Sequence, residues 1–457
     1  MKQLPACCTA YDIRGRVPEE LDEDLASGIG RAYCELFSPS RVVVGRDMRL
    51  SSPALSEALI GSFLACGVDV LDLGLCGTEE VYFAVFHGED AGIDGGIMVT
   101  ASHNPADYNG MKIVQKGARP VSGDSGLRTI AEKMGQYQAA HGLLHPVSEP
   151  GTREHQLGKE EYIKHLLSYV EPTRLQPLTL VVNPGNGCAG PIIDLLETHL
   201  PFTFHRIQEQ PDGTFPNGVP NPLLPDNRQA TAEAVQHYKA DLGIAWDGDF
   251  DRCFFFDEQG RFIEGYYIVG FLGAALLQRY PGEKVVHDPR LTWNTREVVT
   301  RLGGTPVMSR TGHAFIKEEM RACNAVYGGE MSAHHYFRDF GYCDSGMIPW
   351  LLVTQLMSQR KKALSTMVEA MMQAFPVSGE INTVVPDPEA VLKEIEQRYA
   401  EGQVDYVDGI SVTFADYRFN IRKSNTEPVL RLNVETRGDA DLLAVKTREL
   451  LAVIRQE

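Results

Sequence analysis

RVVVG, residues 41–45, is a short run of β-branched residues that ends in glycine, and it decides the fold class of the chain. A helix signal follows, with Ser52 as the expected N-cap and Pro53 in the first turn, and the helix is predicted to run to about Cys66. A second β run covers residues 68–73. Strand, helix and strand in this order predict the βαβ unit of an α/β domain.

The same alternation continues outward from this unit over most of the chain. Further strands are predicted at residues 97–100, 111–115, 178–183, 242–245, 284–287, 305–308 and 325–327. Helix-length segments lie between many of them, and a stretch rich in Gly, Pro and His at residues 141–151 is expected to be a linker. The pattern therefore predicts three similar α/β domains with mixed sheets.

The last part of the chain has a different pattern. Its predicted strands follow one another like hairpins, at residues 380–385, 410–414, 418–422 and 429–435, with helices near 389–399 and 439–455. This indicates a smaller α+β domain at the C-terminal end. The expected domains are residues 1–148, 149–253, 254–373 and 374–457, since a chain of 457 residues is too long for one hydrophobic core.

Composition excludes several classes of protein. The formal net charge of −18 disfavours binding to nucleic acid or to acidic membranes. Nine cysteines without a C-x-x-C pair indicate reduced thiols rather than a disulfide framework. The first residues lack the apolar core of a signal peptide, and the longest apolar stretch, residues 268–277, is too short to cross a bilayer. We therefore expect a cytoplasmic protein.

Three aspartates at alternate positions, Asp247, Asp249 and Asp251, follow the strand predicted at residues 242–245. They can converge on one ion if the backbone bends, and Gly248 is expected to permit that bend. Oxygen ligands favour Mg²⁺ or Ca²⁺ over zinc. An EF-hand is excluded because Arg252 stands at its obligatory glycine position and a strand follows instead of a helix. The remaining alternative is an acidic turn on a solvated surface.

TASHNP, residues 100–105, predicts a tight polar loop that carries Ser102. A phosphoserine at this position would bear a charge of about −2 and need cations and donors, for which the metal loop, Lys112 and His103 are candidates. A polar turn without function is the alternative. A serine hydrolase is disfavoured because the G-x-S-x-G elbow is absent and the ring of His103, adjacent in sequence, is not expected to reach the Ser102 hydroxyl.

Two further polar segments suit a sugar phosphate. GEMSAHH, residues 329–335, combines a carboxylate, a hydroxyl and imidazoles, which match vicinal sugar hydroxyls. A zinc site from Glu330, His334 and His335 is the alternative, although adjacent histidines diverge. RKSNTEP, residues 422–428, places two cations beside polar side chains and predicts either a phosphate cradle or a solvated loop.

Two weaker clusters are YDIRG at residues 11–15 and RTGH at residues 310–313. Each joins a cation or an imidazole to a glycine turn. In the second cluster, His313 could equally be the first residue of a helix, with no chemistry of its own.

YDIRG, TASHNP, DGDFDR, GEMSAH and RKSNTEP occur in the order in which the α-D-phosphohexomutases carry them. The chain resembles this family from residue 11 to residue 428 and in the tail, and within it most resembles the bacterial phosphomannomutases. The resemblance implies four domains around a central cleft. It also implies an isomerase that interconverts mannose 6-phosphate and mannose 1-phosphate through a phosphoserine and a 1,6-bisphosphate, supplying GDP-mannose for surface polysaccharide.

The motifs, together with the donors inferred above, give a set of expected site residues. The expected catalytic residues are Ser102, Lys112, His103, Arg14 and His313. The expected metal ligands are Ser102, Asp247, Asp249 and Asp251. The expected substrate ligands are Tyr11, Arg252, Arg290, Gly312, Glu330, Ser332 and His334. The expected ligands of the phosphate that does not react are Arg422, Ser424, Asn425 and Thr426. The resemblance implies Mg²⁺ and an activating hexose 1,6-bisphosphate as cofactors, a sugar-phosphate substrate, and a monomer or weak homodimer.

Three positions depart from the family pattern. Ala333 stands where relatives often have glycine, and residues 288–290, DPR, replace a segment that carries lysine in dual-specificity relatives. Met331 argues against the glucosamine-phosphate mutases, which usually have glutamine there. A loop that binds O3 and O4 does not distinguish mannose from glucose at C2, so a phosphoglucomutase or a dual enzyme remains the main alternative. A sugar-phosphate sensor and a simple phosphatase are alternatives of other kinds.

Overall fold

The computed structural model describes residues 7–8, 12–139, 148–156, 158–423 and 429–456. The chain divides into two compact units. The first unit comprises residues 1–262 and 339–361, and the second comprises residues 263–338 and 362–457. Of the predicted linker at residues 141–151, only residues 148–151 are described. The expected site residues Tyr11, Ser424, Asn425 and Thr426 also lie outside the described residues.

The first sheet has seven strands. They are β1 (Ile13–Arg16), β2 (Arg41–Arg46), β3 (Asp69–Leu75), β4 (Gly95–Val99), β5 (Tyr108–Gln115), β6 (Arg119–Pro120) and β7 (Arg153–His155). Their order is β1-β5-β4-β2-β3-β7, with β6 beside β5. β2 is parallel to β3 and β4, and β5 is antiparallel to β1 and β4. The carboxyl ends of β2, β3 and β4 therefore meet at one edge, where α/β sheets commonly bind ligands.

The second sheet holds the acidic loop. Its strands are β8 (Thr179–Asn183), β9 (Thr203–Arg206), β10 (Leu242–Trp246), β11 (Cys253–Phe256) and β12 (Phe262–Ile263), in the order β12-β11-β10-β8-β9. β10 is parallel to β8 and antiparallel to β11. Residues 247–252 thus connect two paired strands, and the second sheet continues past the domain boundary expected at residue 253.

The third and fourth sheets differ in type. The remaining strands are β13 (Lys284–His287), β14 (Thr305–Met308), β15 (Tyr327–Gly329), β16 (His335–Phe337), β17 (Cys343–Asp344), β18 (Ile381–Val384), β19 (Gln403–Asp405), β20 (Ile410–Thr413), β21 (Tyr417–Lys423) and β22 (Val429–Thr436). β13 is parallel to β14 and β15, and β16 is antiparallel to β15. β18 to β22 form an antiparallel sheet in the order β18-β22-β21-β20-β19. Three mixed sheets and one antiparallel sheet confirm the predicted fold class.

Fourteen α-helices lie in the described part of the chain. They are α1 (Glu23–Phe37), α2 (Ser52–Ala65), α3 (Thr78–His87), α4 (Arg128–Ala139), α5 (Glu160–Leu167), α6 (Gly190–Glu197), α7 (Gln229–Tyr238), α8 (Gly265–Arg279), α9 (Trp293–Arg301), α10 (His313–Cys323), α11 (Met347–Arg360), α12 (Leu364–Ala374), α13 (Pro388–Arg398) and α14 (Ala440–Arg455). None of the helices among these residues combines the length and apolar character that a membrane crossing requires.

Helix α2 starts one residue differently from the prediction. Its N-cap is Ser51 and not Ser52, and no side chain caps it. The hydroxyl of Ser52 is already used, because it donates a hydrogen bond to Asp47 Oδ1 at 2.5 Å. The predicted N-cap therefore supports the loop that follows β2.

Hydrophobic cores hold the sheets against their helices. In the first unit, Val42 and Val44 of β2 pack in one cluster with Leu59 and Phe63 of α2. In the second unit, the last sheet has a core of its own, whose central members are Val412, Phe419, Leu432 and Ile454. Because such interiors are closely packed, the loops at the sheet edges start from rigid positions.

Candidate active site

Ser102 follows the carboxyl end of β4 and is fully buried. Its backbone has a left-handed φ of 48°, which is uncommon for a residue other than glycine. Its amide donates to the hydroxyl of Thr100 at 2.9 Å, and its own hydroxyl donates to Asp247 Oδ2 at 2.6 Å. The structure thus brings the predicted serine into contact with the acidic loop, which follows it by 145 positions.

A single guanidinium supports the serine loop. Arg49 Nη2 donates to the carbonyl oxygens of Ser102 at 2.9 Å and Asn104 at 2.6 Å, and Nη1 donates to those of Pro105 at 2.7 Å and Tyr108 at 2.8 Å. Arg49 is 1% exposed, so these bonds exclude water. The conformation of the loop is therefore fixed by the protein before any ligand binds.

Asp47 connects the serine loop to the strand edge. It lies directly after β2, and its Oδ2 accepts a hydrogen bond from the Thr100 hydroxyl at 2.7 Å and lies 3.4 Å from Arg49 Nε. Its Oδ1 accepts the amide of Arg49 at 2.9 Å. Asp47 and Arg49 were missed in the sequence, although two charged residues at the end of a buried strand, next to the strand that leads to Ser102, are a signal for such a role.

The three aspartates of the acidic loop converge as predicted from their spacing. All three are buried, and one carboxylate oxygen from each lies within 4.8 Å of the others. Burial, with the nearby carboxylates of Asp251 and Asp249, raises the pKa of Asp247 to about 7. Three buried carboxylates this close together repel one another, so they require a positive charge nearby to stay ionised.

The bend in the loop has a different cause from the one expected. The left-handed residue is Phe250, with a φ of 45°, and not Gly248. Gly248 is required by close approach, because a Cβ there would lie 2.8 Å from the carbonyl oxygen of Ser102. The glycine thus permits contact between the two loops.

Lys112 supplies one positive charge to the acidic loop. Its Nζ lies 2.6 Å from Asp249 Oδ2 and also forms an ion pair with Asp251 Oδ2. Burial opposes its charge, but the carboxylates of Asp249 and Asp251 prevail and raise the pKa of Lys112. The lysine is therefore charged in this arrangement and neutralises part of the charge of the acidic loop.

The acidic loop also suits a divalent cation. Asp249 Oδ1 is buried and has no hydrogen-bond partner among the described residues. Such an oxygen is costly unless it is compensated. Oxygen donors from three carboxylates beside a serine hydroxyl are the ligand type that hard cations prefer. The residues of this loop therefore fit a metal ion.

The position of His103 contradicts one sequence expectation. Its Nδ1 lies 3.0 Å from Ser102 Oγ, whereas the adjacent ring was not expected to reach the hydroxyl. The left-handed backbone at Ser102 turns the two neighbouring side chains toward each other. Arg252 Nη2 lies 2.8 Å from the same Nδ1. A guanidinium only donates, so Nδ1 is an acceptor and the proton of the neutral ring lies on Nε2.

Arg14 lies at the other side of the serine loop. Its Nε donates to Asp12 Oδ2 at 2.8 Å, and its Nη1 donates to the carbonyl oxygen of Ala101 at 3.1 Å and to Asn104 Oδ1. Arg14 thus contacts the TASHNP loop on both sides of Ser102. In the first unit, the structure therefore gathers Arg14, Ser102, His103, Lys112, Arg252 and the three aspartates.

In the second unit, Glu330 is the centre of the predicted sugar-binding loop. It is 2% exposed. Its Oε1 accepts the amide of Gly312 at 3.0 Å, and its Oε2 accepts the hydroxyl of Tyr336 at 2.5 Å. Gly312 therefore lies beside Glu330, and His313 follows it as the first residue of α10.

Arg290 joins this loop to the DPR segment. Its Nη2 donates to Asp288 Oδ2 at 2.8 Å and to Ser332 Oγ at 3.2 Å, and lies 3.4 Å from Glu330 Oε1. Asp288 Oδ2 also accepts the amide of Met331 at 2.8 Å. The expected substrate ligands Arg290, Glu330 and Ser332 thus form one buried network.

Ala333 and the two histidines complete the loop. Ala333 has a left-handed φ of 69°, a conformation that glycine adopts at lower cost than alanine. The ring of His334 stacks on Tyr336 with centroids 6.0 Å apart. The ring of His335 is fully buried, with Nδ1 2.7 Å from the Tyr327 hydroxyl. The two rings thus lie in different surroundings.

Glu380 was missed in the sequence and connects the network to the predicted phosphate loop. Its Oε2 lies 3.5 Å from Arg290 Nη1 and 3.3 Å from Arg422 Nη2, and its Oε1 lies 3.5 Å from Arg431 Nη1. Three guanidiniums thus share the one buried carboxylate of Glu380. Nothing in the local sequence around Glu380 signals this role, because its partners come from three other segments.

Comparison with known proteins places the whole chain in one family. Four family models match: Phosphoglucomutase/phosphomannomutase, alpha/beta/alpha domain I, at residues 7–140, domain II at 160–260, domain III at 264–375 and the C-terminal domain at 380–452.

Individual relatives match over their full length. A protein of Xanthomonas campestris pv. campestris described as "Phosphohexose mutases" is 59% identical, with 99% of each chain covered. The phosphomannomutase of Escherichia coli K12 is 55% identical, with both chains wholly covered. A phosphoglucomutase/phosphomannomutase family protein from Burkholderia thailandensis superposes with a TM-score of 0.86 at 30% identity, covering 98% of this chain and 97% of that one. The chain belongs to the phosphoglucomutase/phosphomannomutase family.

Proposed function

We propose that this protein is a phosphomannomutase that interconverts mannose 6-phosphate and mannose 1-phosphate. The observation that carries the proposal is the contact of 2.6 Å between Ser102 Oγ and Asp247 Oδ2 in a buried acidic loop. Relatives that are 51–58% identical over nearly their full length are named phosphomannomutase. The enzyme is accordingly an isomerase that moves a phosphoryl group.

In the first step, phosphorylated Ser102 gives its phosphoryl group to the free hydroxyl of the sugar phosphate. The bond from phosphorus to Ser102 Oγ breaks, a bond to the sugar oxygen forms, and the hydroxyl proton leaves to a base. The product is a hexose 1,6-bisphosphate. Arg49 and Arg14 hold the loop carbonyls, so the serine does not have to be ordered during the reaction.

The acidic loop would hold Mg²⁺ through Asp247, Asp249 and Asp251, together with an oxygen of the phosphorylated Ser102. When bound, Mg²⁺ would neutralise part of the charge on the transferred group. Lys112 adds a fixed positive charge from the opposite side of Asp249 and Asp251. We therefore assign an electrostatic role to Lys112 and not the role of a base.

In the second step, the bisphosphate turns around and returns its other phosphoryl group to Ser102. The bond from phosphorus to the sugar oxygen breaks, a bond to Ser102 Oγ forms, and the sugar oxygen takes up a proton. The serine then loses its hydroxyl proton. His103 Nδ1 lies 3.0 Å from Ser102 Oγ and is a candidate to receive this proton once Arg252 Nη2 no longer donates to it. In the second unit, we assign the hydroxyls of the sugar to Glu330, Ser332 and His334, and the idle phosphate to Arg422 with residues 424–426.

A coupled assay with purified protein tests the reaction. We expect mannose 1-phosphate to be converted to mannose 6-phosphate in the presence of Mg²⁺ and a trace of hexose 1,6-bisphosphate, and no turnover after chelation of the metal. Steady release of inorganic phosphate at the rate of sugar consumption would identify a phosphatase and overturn the proposal.

Intact-mass spectrometry tests the covalent step separately. Incubation with hexose 1,6-bisphosphate should add one phosphate, located at Ser102 by peptide mapping. A protein that binds sugar phosphates but never gains this phosphate would be a sensor and not a mutase.

The preference at C2 is a separate question. The family description names both phosphoglucomutase and phosphomannomutase. We assign to the Glu330 loop the binding of hydroxyls that glucose and mannose have in common. Comparing kcat/KM for mannose 1-phosphate and glucose 1-phosphate decides between a phosphomannomutase, a phosphoglucomutase and a dual enzyme. We expect the mannose sugar to be preferred.

A further inference from the structure

The N-terminus of α3 contacts the acidic loop, and none of the roles assigned above uses it. Thr78, the first residue of α3, is fully buried. Its hydroxyl donates to Asp249 Oδ2 at 2.5 Å, and its amide donates to the carbonyl oxygen of Asp249 at 3.1 Å. One residue thus fixes both the side chain and the main chain of the central aspartate.

The two oxygens of Asp249 differ in their surroundings. Oδ2 accepts hydrogen bonds from the hydroxyl of Thr78 and from Lys112 Nζ at 2.6 Å. Oδ1 is buried and has no hydrogen-bond partner among the described residues. The hydroxyl of Thr78 and the ammonium of Lys112 together hold the rotation of the carboxylate, so that Oδ1 is the oxygen left to bind a cation.

The next residue, Glu79, anchors the same helical turn on its other side. Glu79 Oε2 accepts the amides of Gly346 at 2.5 Å and Met347 at 3.1 Å, and Oε1 accepts the hydroxyl of Tyr162 at 2.6 Å. These amides lie at the N-terminus of α11. The N-terminus of α3 is thus held to a second, rigid helix.

The turn that Glu79 holds also contacts the acidic loop. The carbonyl oxygen of Gly346 accepts a hydrogen bond from Trp246 Nε1 at 2.8 Å, and Trp246 directly precedes Asp247. A Cβ at Gly346 would lie 2.3 Å from the carbonyl oxygen of Phe250. The acidic loop is therefore contacted by Thr78 directly and by Gly346, which Glu79 of the same helix holds in place.

We propose that Thr78 is a positioning residue for the divalent cation of the acidic loop, acting by its hydrogen bonds to Asp249. This inference rests on the proposed metal site. Partners that orient a metal ligand typically change the affinity for the metal by about 10- to 100-fold when they are removed. Thr78 does not itself touch the metal or the substrate.

The test is binding of Mn²⁺ to the unphosphorylated, full-length protein, measured by electron paramagnetic resonance. Thr78→Val has nearly the same shape but lacks the hydroxyl, and we expect its dissociation constant to rise about 10-fold or more. Thr78→Ser keeps the donor, and we expect it to stay within about threefold of the wild type, since a hydrogen bond and not volume sets the affinity.

Thr354→Val is the matched control. Thr354 is fully buried in α11 and donates only within its own helix, to the carbonyl oxygen of Leu351 at 2.9 Å. Its Mn²⁺ affinity should equal that of the wild type. This control separates loss of a buried hydroxyl in general from loss of the contact with Asp249.

Each outcome of the experiment bears on one claim. If the wild type binds no Mn²⁺, the proposed metal site is wrong, and the role of Thr78 falls with it. If the wild type binds and Thr78→Val binds equally well, the role of Thr78 is wrong while the metal site stands. If Thr78→Ser is as weak as Thr78→Val, the residue acts by packing, and the inference is overturned.

A kinetic measurement adds an independent readout. In the mutase assay, Thr78→Val should require about 10-fold more Mg²⁺ for half-maximal rate, while KM for the sugar phosphate at saturating Mg²⁺ remains unchanged. A higher KM with an unchanged Mg²⁺ requirement would contradict the proposed role.

Discussion

The acidic loop of the first unit and the Arg290 network of the second unit are built in opposite ways. In the first, three carboxylates come from five consecutive residues and are only partly offset by Lys112 and Arg252. In the second, the guanidiniums of Arg290 and Arg422 share Glu380, a partner from a distant segment. The first site has an excess of negative charge, whereas the second is internally compensated.

This difference predicts that the first site serves mainly ligand binding, whereas the second also stabilises the folded state. A cluster of like charges is unfavourable in the free protein and improves when a ligand arrives. A compensated network of buried ions contributes to the folded state only while every partner is present. Substitutions in the first site should therefore affect the reaction, and substitutions in the second should affect folding as well.

The largest effect is expected for Ser102→Ala. Removing the acceptor of the phosphoryl group should lower kcat by about 10⁴-fold or more, since no other group can replace it. The melting temperature should change little, because the loop is held through its carbonyl oxygens by Arg49. The coupled assay and a thermal melt measure the two effects.

Ser56→Ala is the control for this substitution. Ser56 is also buried, but its hydroxyl donates only to the carbonyl oxygen of Pro53 at 3.1 Å, within α2. Full activity of this variant is expected. Mutase activity in Ser102→Ala above a thousandth of the wild-type rate would contradict the phosphoserine mechanism.

The next effect is on stability in the second unit. Arg290→Met leaves Asp288, Glu330 and Glu380 without their shared cation, and breaking a buried ion network typically costs about 3–5 kcal/mol. Denaturant unfolding followed by fluorescence measures the loss. Arg338→Met removes a partly exposed ion pair with Glu283 in the same unit and should cost less than about 1 kcal/mol. Equal losses of unfolding free energy in the two variants would show that the Arg290 network does not contribute more to stability than a partly exposed ion pair.

A smaller effect is expected in the pH dependence of stability. Burial raises the pKa of the Glu79 carboxyl to about 8 from an ordinary value of 4.5. Between these values the folded state keeps a proton that the unfolded chain has lost, so rising pH favours unfolding, by at most about 1.4 kcal/mol per pH unit. Glu79→Gln resembles the protonated form and should remove this contribution.

Melting temperatures of the wild type and Glu79→Gln at several pH values between 5 and 8 test this prediction. The variant should gain stability relative to the wild type as the pH rises through this window. A difference in melting temperature that stays constant would show that Glu79 is ionised when folded.

The smallest effect is expected for His334→Ala. The ring of His334 is half-buried and stacks on Tyr336, so its loss should raise KM for the sugar phosphate about two- to fivefold, which is less than about 1 kcal/mol. Steady-state kinetics measure it. His335→Ala is the comparison: burial lowers the pKa of His335 to about 3, and its loss should reduce stability and leave KM unchanged.

The sequence predicted those features that depend on neighbouring residues. The alternating aspartates, the strands β13 and β14 and the hairpins of the last sheet follow from local patterns, and the structure confirms these elements. The predicted N-cap of α2 was wrong because the Ser52 hydroxyl donates a hydrogen bond to Asp47 instead of capping the helix. The sequence also did not show that His334 stacks on Tyr336 and that His335 is buried, because this depends on where β16 begins.

Thr78 and Glu380, which contact predicted site residues far along the chain, were missed. Thr78 and Asp249 lie 171 positions apart, and Arg290 and Glu380 lie 90 positions apart. Their contacts depend on how the strands are ordered in each sheet, which no local pattern encodes. Asp47 and Arg49 at the end of β2 were also missed, although charged residues at the carboxyl end of a parallel strand indicate a functional edge.

Arg49 has a consequence for the life of the enzyme between turnovers. Because its guanidinium holds four carbonyl oxygens between Ser102 and Tyr108, the serine loop has its shape in the unphosphorylated protein. Under the proposed mechanism, a molecule that loses its phosphate to water would therefore keep the loop in place and be inactive without being damaged. Under the proposed mechanism, one hexose 1,6-bisphosphate would phosphorylate Ser102 again, so the unphosphorylated enzyme would be a reserve that responds to this sugar.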